Sequence, residues 1–519
     1  MGEKSGARLI DTLARPVLIL ALGLLFAGAL AVRLYDLTDL PLDFQPTRQL
    51  HSALIARGMY YQNLTSVPQW QRDMAVTQWK AEGLIEPQVI ERMTAFTYRF
   101  TGEVLWIPRI FSIVFWLLGG IALFLLAREL AGIFGGLAAL TFYLYLPYAI
   151  IASRAFMPDP LLVGTLCFAL WAAYHWGRTR RWKWAIAAGL LSGLTVYIKA
   201  PGAFFVGGGL VGVVLGGWGL KKALRDPQVW TVGALAVIPY LAYLYYGTSV
   251  LHLLQSQFAL RFFPQMWINP IFYLQWQAQI GDTIGLWALI LAVIGSFFAA
   301  GLIKRGLLAG LWVGYCVYGM VFAYFMTTHD YYQLPLIPIV ALGLAPLAEV
   351  VLRRLTEVDA RGLAWVVSAS ALLFGVIMAA WQARTELKRV DYRGQAAFWA
   401  KLGEELHGRA VVALSEDYGY RLQYWGWLVP TNWMTSGDFN LRALAGEQFD
   451  ARQLFQEYTQ GKEFFLVTLF SELDRQPVLK NLLYSDYSIY DQGDGYVIFD
   501  LRHPLAGAQD ILPAAAPPP

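Results

Sequence analysis

The stretch PVLILALGLLFAGALAVRLYDLTDLPLDFQPTRQLHSALIARGMYY, residues 16–61, joins two kinds of chemistry without a break. Its first part, residues 16–36, is an apolar run of about 20 residues, the length a helix needs to cross a hydrocarbon core. Asp43 arrives just as that run gives out. Pro46 and Thr47 can then open a helix, and on it Arg48, His51 and Ser52 share one face. The reading is a membrane span followed directly by an acidic and basic surface at its edge. No small-residue cleavage site follows the run convincingly, so it reads as a retained first span.

Composition agrees. Of 519 residues, 57% are hydrophobic, 15% are aromatic and only 15% are charged, which is far from the balance of a soluble domain. The formal net charge of +4 is small for the length and gives no case for nucleic-acid binding. Cys167 and Cys316 both fall in apolar runs, where a thiol packs as a small hydrophobe and staples nothing.

Eleven runs are long enough to span: residues 16–36, 109–127, 131–151, 160–176, 184–198, 202–219, 229–247, 283–303, 307–326, 333–351 and 363–382. A long polar loop, 37–108, separates the first two, and its Trp- and Met-containing stretch 69–79 can lie in the membrane interface. Short cytoplasmic loops collect Lys and Arg. With the N-terminus inside, that side holds Lys4, Arg8, Arg15, Arg128, Arg178, Arg180, Arg181, Lys183, Lys221, Lys222, Arg225, Lys304, Arg305, Arg353, Arg354 and Arg361. The short outer loops hold Arg154, Lys199 and Arg261 alone.

The same orientation puts the chain after Arg384 outside, where composition turns soluble. RAVVALS (409–415), EFFLVTLF (463–470) and GYVIFDL (495–501) read as buried strands, with helices over 392–405 and 451–458, an α/β unit. The expected organisation is therefore an α-helical polytopic membrane region over 1–383 with its first outer loop at 37–108. An extracytoplasmic α/β domain follows over 384–505, then an Ala/Pro-rich disordered tail at 506–519. The chain belongs in a plasma membrane, with lipids as its surroundings.

Four polar clusters fall on the outer side: Asp43 with Arg48 and His51, Arg154 with Asp159 in SRAFMPD, Lys199 in YIKAPG, and His329 with Asp330 in TTHDYY. A charge at the bilayer centre costs about 2.5–3.5 kcal/mol on insertion scales, so edges are where charges belong. The informative point is that carboxylates, a lysine and a histidine share one edge. A carboxylate with cations at the water–lipid boundary suits a substrate with a lipid tail and a phosphate head. Each residue also has a plainer reading. Asp43 can cap the helix that follows, Asp159 before Pro160 can start a span, Lys199 can snorkel, and Arg48, His51, His329, Asp330 and Arg261 can simply mark loops and boundaries.

The set resembles the GT-C superfamily of integral membrane glycosyltransferases, in its family 39 group of protein O-mannosyltransferases and lipid A aminoarabinose transferases. Asp43 in the first outer loop, R-x-x-M-P-D at 154–159, IKAPG around Lys199 and HDYYQLPLIP from His329 carry the resemblance, in that order, over most of 16–350. It implies a GT-C-like fold and transfer of a sugar from a polyprenyl-phosphate donor to a glycan, lipid or protein acceptor on the non-cytoplasmic face. Many members place an Asp-Glu pair in the first loop; here Phe44 and Gln45 follow Asp43. A sugar held through phosphate needs no acid to leave, only cations to neutralise the departing charge. Lys199 and Arg154, then His329, are the expected phosphate ligands. An acceptor hydroxyl profits from a carboxylate that takes its proton, the role expected of Asp43, and a single displacement inverts the anomeric centre. Asp159 orients the acceptor, holds Arg154, or with Asp43 binds a divalent cation, the one cofactor left open. Arg48, His51, Asp330 and Arg261 are expected along the donor or acceptor path.

Two other classes stay open. A transporter would show paired halves and ionisable residues near the midplane, which these spans lack. A membrane-anchored binding or assembly protein could work through Asp417 and Arg421 in SEDYGYRLQYWGW.

Overall fold

The computed structural model describes residues 15–83, 85–252, 260–355 and 361–505. Lys4, Arg8 and the tail expected to be disordered at 506–519 lie outside the described residues. The chain forms two compact units, one from Met1–Gln45 and Gly83–Asp391, the other from Pro46–Glu82 and Tyr392–Pro519. This division differs from a boundary at 383/384, because the first polar loop is split. Two of its three helices, Pro46–Tyr61 and Gln69–Ala81, are too polar to enter a hydrocarbon layer and belong to the second unit, whereas Val89–Thr101 belongs to the first.

Among its described residues the regular structure of the first unit is all helical, and each of the eleven apolar runs contains helix. Among the described residues, five stretches are by themselves long and apolar enough to cross a membrane: Arg15–Leu34, Ile107–Leu130, Pro227–Val250, Asp330–Leu355 and Val366–Leu387. The pair Pro270–Thr283 and Leu286–Phe297, bent by 94°, is a sixth if counted as one span. The other runs give helices that are shorter, interrupted or less apolar, such as Ile133–Tyr145, Trp182–Ile198 and Gly202–Gly217. Interruption has a sequence cause. Leu146 precedes Pro147, is extended (φ −56°, ψ 123°), and ends the helix Ile133–Tyr145 before Pro147–Ala152 restarts it.

Between lipid-facing helices there is little hydrophobic gain, so small residues that let backbones touch decide the pairing. The helix Gly202–Gly217 and the helix Leu302–Val321 show this. Gly208, Gly212 and Gly216 face Gly306, Gly310 and the first turn of the partner, and a Cβ at Gly212 or Gly310 would fall on the facing glycine carbonyl. Arg33 is buried near the end of the first span and satisfied by the Ser153 hydroxyl (2.7 Å) and the carbonyls of Leu144 (2.9 Å) and Ala29 (3.0 Å).

The second unit contains a five-stranded sheet in the order β2-β1-β3-β5-β4. Its strands are β1 (Val411–Leu414), β2 (Thr431–Asn432), β3 (Phe464–Val467), β4 (Tyr487–Gly493) and β5 (Tyr496–Pro504). β1 pairs parallel with β2 and β3, whereas β5 runs antiparallel to both β3 and β4. Both faces are covered, which is why β1 and β3 read as unbroken apolar runs. Val412, Leu414, Phe465 and Val467 pack on one side; Val411, Ala413, Phe464 and Leu466 pack with Trp399 and Leu402 on the other.

The helices Pro46–Tyr61 and Gln69–Ala81 join this unit through polar anchors. Gly58 lies against Trp79 and the Ala75 carbonyl, a gap that no larger residue would leave. The Arg57 guanidinium lies 3.5 Å over the Tyr424 ring and 4.5 Å from that of Trp427. Gln78 donates to the Gln423 carbonyl at 2.7 Å.

Candidate active site

The polar side chains of the membrane unit come from several separated segments. The first is the irregular stretch 35–45, held by turns in which Asp36 (φ 49°) and Gln45 (φ 44°) adopt the left-handed backbone that non-glycine residues avoid. Two guanidinium groups fix it. Arg109, in the first turn of Ile107–Leu130, donates to the carbonyls of Leu37 (3.2 Å) and Asp39 (3.1 Å) and to the Asp43 carboxylate. Arg154, in the loop that opens the helix Asp159–Thr179, donates to the carbonyls of Tyr35 (2.6 Å) and Asp36 (3.0 Å) and lies 3.5 Å from Asp43. Burial, then the neighbouring Arg109, lowers the Arg154 guanidinium to about 9. Asp43 is thus aimed by two buried cations that are themselves anchored on backbone carbonyls.

A second cluster is built on helix ends. Lys199 terminates the helix Trp182–Ile198, and Asp159 occupies the first turn of its own helix, so each charge sits where the helix dipole favours it. The Lys199 ammonium is 2.9 and 3.0 Å from the two Asp159 oxygens and 3.5 Å from Glu86. It also lies 5.0 Å from the centre of the Tyr331 ring and 5.9 Å from that of Tyr332.

Asp330 belongs to a third group. It opens the short turn Asp330–Gln333, and the Gln45 side-chain amide donates to it at 2.6 Å. Gln45, Tyr148, Gln279, Asp282, Thr283, Thr328 and Asp330 line a polar cavity of about 290 Å³. The buried Tyr148 hydroxyl faces Asp330 and lies in the field of both Asp330 and Asp159. Its ring stacks edge-on with Phe44 at 5.6 Å. Along the chain, Gln45 on the cavity wall follows Asp43 by two residues, and Asp330 on the same wall is followed by Tyr331, the ring that Lys199 faces.

Of the residues expected from sequence, the membrane unit brings together Asp43 with Arg154, and Lys199 with Asp159, while Asp330 accepts from Gln45. His329 is half-buried, bonded to the Thr328 hydroxyl (2.7 Å) and packed on Tyr331 and Tyr332, the rings that Lys199 faces. Arg261 lies in electrostatic reach of Tyr240. Arg48 and His51 belong to the other unit. There the His51 Nδ1 is 2.6 Å from Glu82, which also accepts from the Tyr420 hydroxyl at 2.6 Å. Burial and the Glu82 carboxylate push that hydroxyl well up, so it stays protonated and donates. Asp417 and Arg421, the alternative binding edge, pair with each other.

Sequence reasoning missed Arg109, Gln45, Glu86 and Tyr148. Arg109 reads as the boundary of a span; only its place inside an otherwise apolar helix start hints at more. Among the described residues no group of three or more His, Cys, Asp and Glu side chains could hold a metal ion. Asp43 and Asp159 each face cationic groups instead of one another, a donor set that does not fit a divalent cation.

Comparison with known proteins bears on this arrangement. Residues 86–246 match the family of dolichyl-phosphate-mannose-protein mannosyltransferases. No curated protein sequence matches the chain at a significant level. Among solved structures, ArnT from Cupriavidus metallidurans bound to undecaprenyl phosphate is similar at 15% identity, over 92% of this chain and 97% of that one, with a TM-score of 0.55. Its apo form is similar at 14% identity over the same shares, with a TM-score of 0.54. The archaeal oligosaccharyltransferase AglB from Archaeoglobus fulgidus, in complex with an inhibitory peptide and a dolichol-phosphate, is similar at 12% identity over 96% and 75%, with a TM-score of 0.50. At such identities the likeness is one of fold: the chain is a polytopic membrane protein with a GT-C fold similar to that of ArnT.

Proposed function

We propose that this chain transfers a sugar from a polyprenyl-phosphate donor to an acceptor hydroxyl at the outer face of the membrane. The observation that carries the reading is that residues far apart in sequence pair within one unit: Asp43 with Arg109 and Arg154, Lys199 with Asp159 and Glu86, and Asp330 with Gln45 at a polar cavity. The family match and the lipid phosphates named with the ArnT and AglB structures support the same reading.

In this mechanism the Lys199 ammonium holds the donor phosphate and neutralises the charge that grows on it as the sugar–oxygen bond breaks. Asp159 holds the ammonium in place, and Glu86, the more exposed of its two carboxylate partners, yields to the phosphate. His329 stands beside the same tyrosines as a further donor. Asp43 takes the acceptor proton as the new bond forms. Arg109 and Arg154 orient it, so Arg154 serves as a positioning residue. One displacement inverts the sugar. The orientation that follows has the N-terminus cytoplasmic and the α/β unit extracytoplasmic.

The test uses the full chain in detergent or nanodiscs with a panel of polyprenyl-phosphate sugars. Transfer of at least one sugar, lost by about 10²-fold or more in Asp43→Asn while donor binding persists, is the expected result. Full turnover by that variant would remove Asp43 from the mechanism.

A further inference from the structure

Asp159 and Lys199 mark one end of the helices Asp159–Thr179 and Trp182–Ile198. The other end, about 30 Å away along the 21 residues of the first helix, is strongly basic and has no part in the proposed reaction. Three chain segments supply the charge. The turn 177–183 carries Arg178, Arg180, Arg181 and Lys183, the turn 218–226 carries Lys221, Lys222 and Arg225, and the helix Leu302–Val321 opens with Lys304 and Arg305.

The segments are packed on one another. The Arg180 guanidinium donates to the Gly217 carbonyl (2.6 Å) and lies 4.2 Å over the Trp218 ring, while the Gln228 side-chain amide donates to the Arg180 carbonyl at 3.0 Å. A Cβ at Gly177 would touch Val213 and Ile303, and one at Gly216 would fall on the Leu302 carbonyl, so the third segment lies against the first two.

The neighbouring carboxylates are already engaged. Glu129 pairs with His175 (2.8 Å) and Arg178 (3.1 Å). Asp226 accepts from the Trp218 indole (2.6 Å) and from the Gln228 N–H (2.8 Å) at the start of the helix Pro227–Tyr245. Arg181, Lys183, Lys221, Lys222 and Arg225 are exposed, and among the described residues none of them forms a salt bridge. The rule that basic residues collect in one set of loops accounts for a charge in each turn. It does not account for turns packed into one patch whose carboxylates serve other groups.

The rings around the patch say what it meets. Trp182 is 48% and Trp230 62% exposed, and the Lys183 ammonium lies 5.7 Å from the centre of the Trp184 ring. Exposed indoles beside cations at the end of membrane helices sit at the level of lipid headgroups.

We infer that this patch is a binding site for an anionic phospholipid of the membrane, with Arg181, Lys183, Lys221 and Lys222 as its phosphate ligands. Charge complementarity selects the occupant: cations crowded together without carboxylate partners are matched by a phosphodiester, and best by the two linked phosphates of cardiolipin. The inference stands apart from the proposed reaction.

The experiment titrates the full chain in detergent with cardiolipin, phosphatidylglycerol and phosphatidylcholine and counts bound lipid by native mass spectrometry. Cardiolipin should bind about tenfold or more tightly than phosphatidylcholine, and the difference should shrink at high salt. Lys221→Gln/Lys222→Gln should weaken cardiolipin about thirtyfold, roughly fivefold for each cation beside an anionic headgroup, and leave phosphatidylcholine and the unfolding temperature unchanged. Arg181→Gln/Lys183→Gln, on a different segment, should reproduce the loss, and Lys221→Arg/Lys222→Arg should keep the affinity. Lys388→Gln/Arg389→Gln, which removes the same charge just after the helix Arg361–Leu387, should change nothing. Equal binding of all three lipids by the wild type would overturn the inference. So would a cardiolipin affinity that survives both glutamine pairs, or one that falls as far in the Lys388/Arg389 variant, which would reduce the patch to net charge. Displacement of cardiolipin by an equal concentration of inorganic phosphate or of a short RNA would overturn it too, since the occupant would then be a soluble polyanion.

Discussion

Asp43 and Glu82 are both carboxylates carried by the first polar stretch of the chain, and they meet opposite fates. Asp43 stays in the membrane unit, where Arg109 and Arg154 grip it from one side and residues 44 and 45 lead on to a polar cavity. Glu82 goes to the α/β unit, accepts from Tyr420, pairs with His51, and has a side chain only 7% exposed. Cations that are anchored on backbone carbonyls leave a carboxylate aimed; side chains that close over a carboxylate leave it as a brace between helices. Residue type alone does not separate the two uses. His51 and Arg48 lie a few positions from Asp43, but the chain divides at Gln45 and Pro46 and sorts them into different units.

The comparison can be broken at either side. The largest effect is expected at the ammonium: Lys199→Ala should lower kcat/KM for the polyprenyl-phosphate sugar by about 10²–10³-fold, the usual size of a lost electrostatic ligand in a shielded site. Steady-state transfer assays check it, with Lys199→Arg expected to recover part of the loss. Gly212→Leu should rank next, because the side chain must displace the Gly306 backbone. Overpacking of this kind costs about 1–3 kcal/mol or more, read as a lower unfolding temperature in detergent, whereas Gly207→Leu, where a Cβ would meet nothing within 4 Å, should leave that temperature unchanged.

A smaller effect is expected at the brace. His51→Ala strips Glu82 of one partner and should cost about 1–3 kcal/mol of stability, measured by thermal unfolding. The smallest effect is set by pH. Hydrogen bonds from Arg502, chiefly, and from His503 hold the Asp500 carboxyl below the ordinary carboxylate range. A carboxyl lowered in the folded state contributes stability that is complete above its unfolded value, about 3.9, and is lost as the pH falls below it. Asp500→Asn should therefore be less stable than the wild type at pH 7, where the contribution is complete, and the difference should shrink as the pH falls below about 4.

Much of this architecture was legible in the sequence, for reasons that also explain the gaps. The spans show because run length is fixed by bilayer thickness. β1, β3 and β5 show because a strand buried on both faces has no polar alternation to hide it. β2 is two residues long, and β4, with Tyr487–Gly493 largely at the surface, carries no apolar run. In the site, Asp43, Asp159 and Lys199 stand out as charges at helix ends. Arg109 does not, since an arginine at the start of a span is the ordinary way for a span to begin. Gln45 and Tyr148 are ordinary residues in sequence and acquire meaning only when Pro147 restarts the helix beside Asp330.

The most direct measurement compares two variants in one transfer assay, on protein shown to be folded. If the cluster in the membrane unit is the working site, Asp43→Asn falls by about 10²-fold or more while His51→Ala keeps its turnover to within about threefold. The reverse order, with His51→Ala inactive and Asp43→Asn unimpaired, would contradict the account at its root.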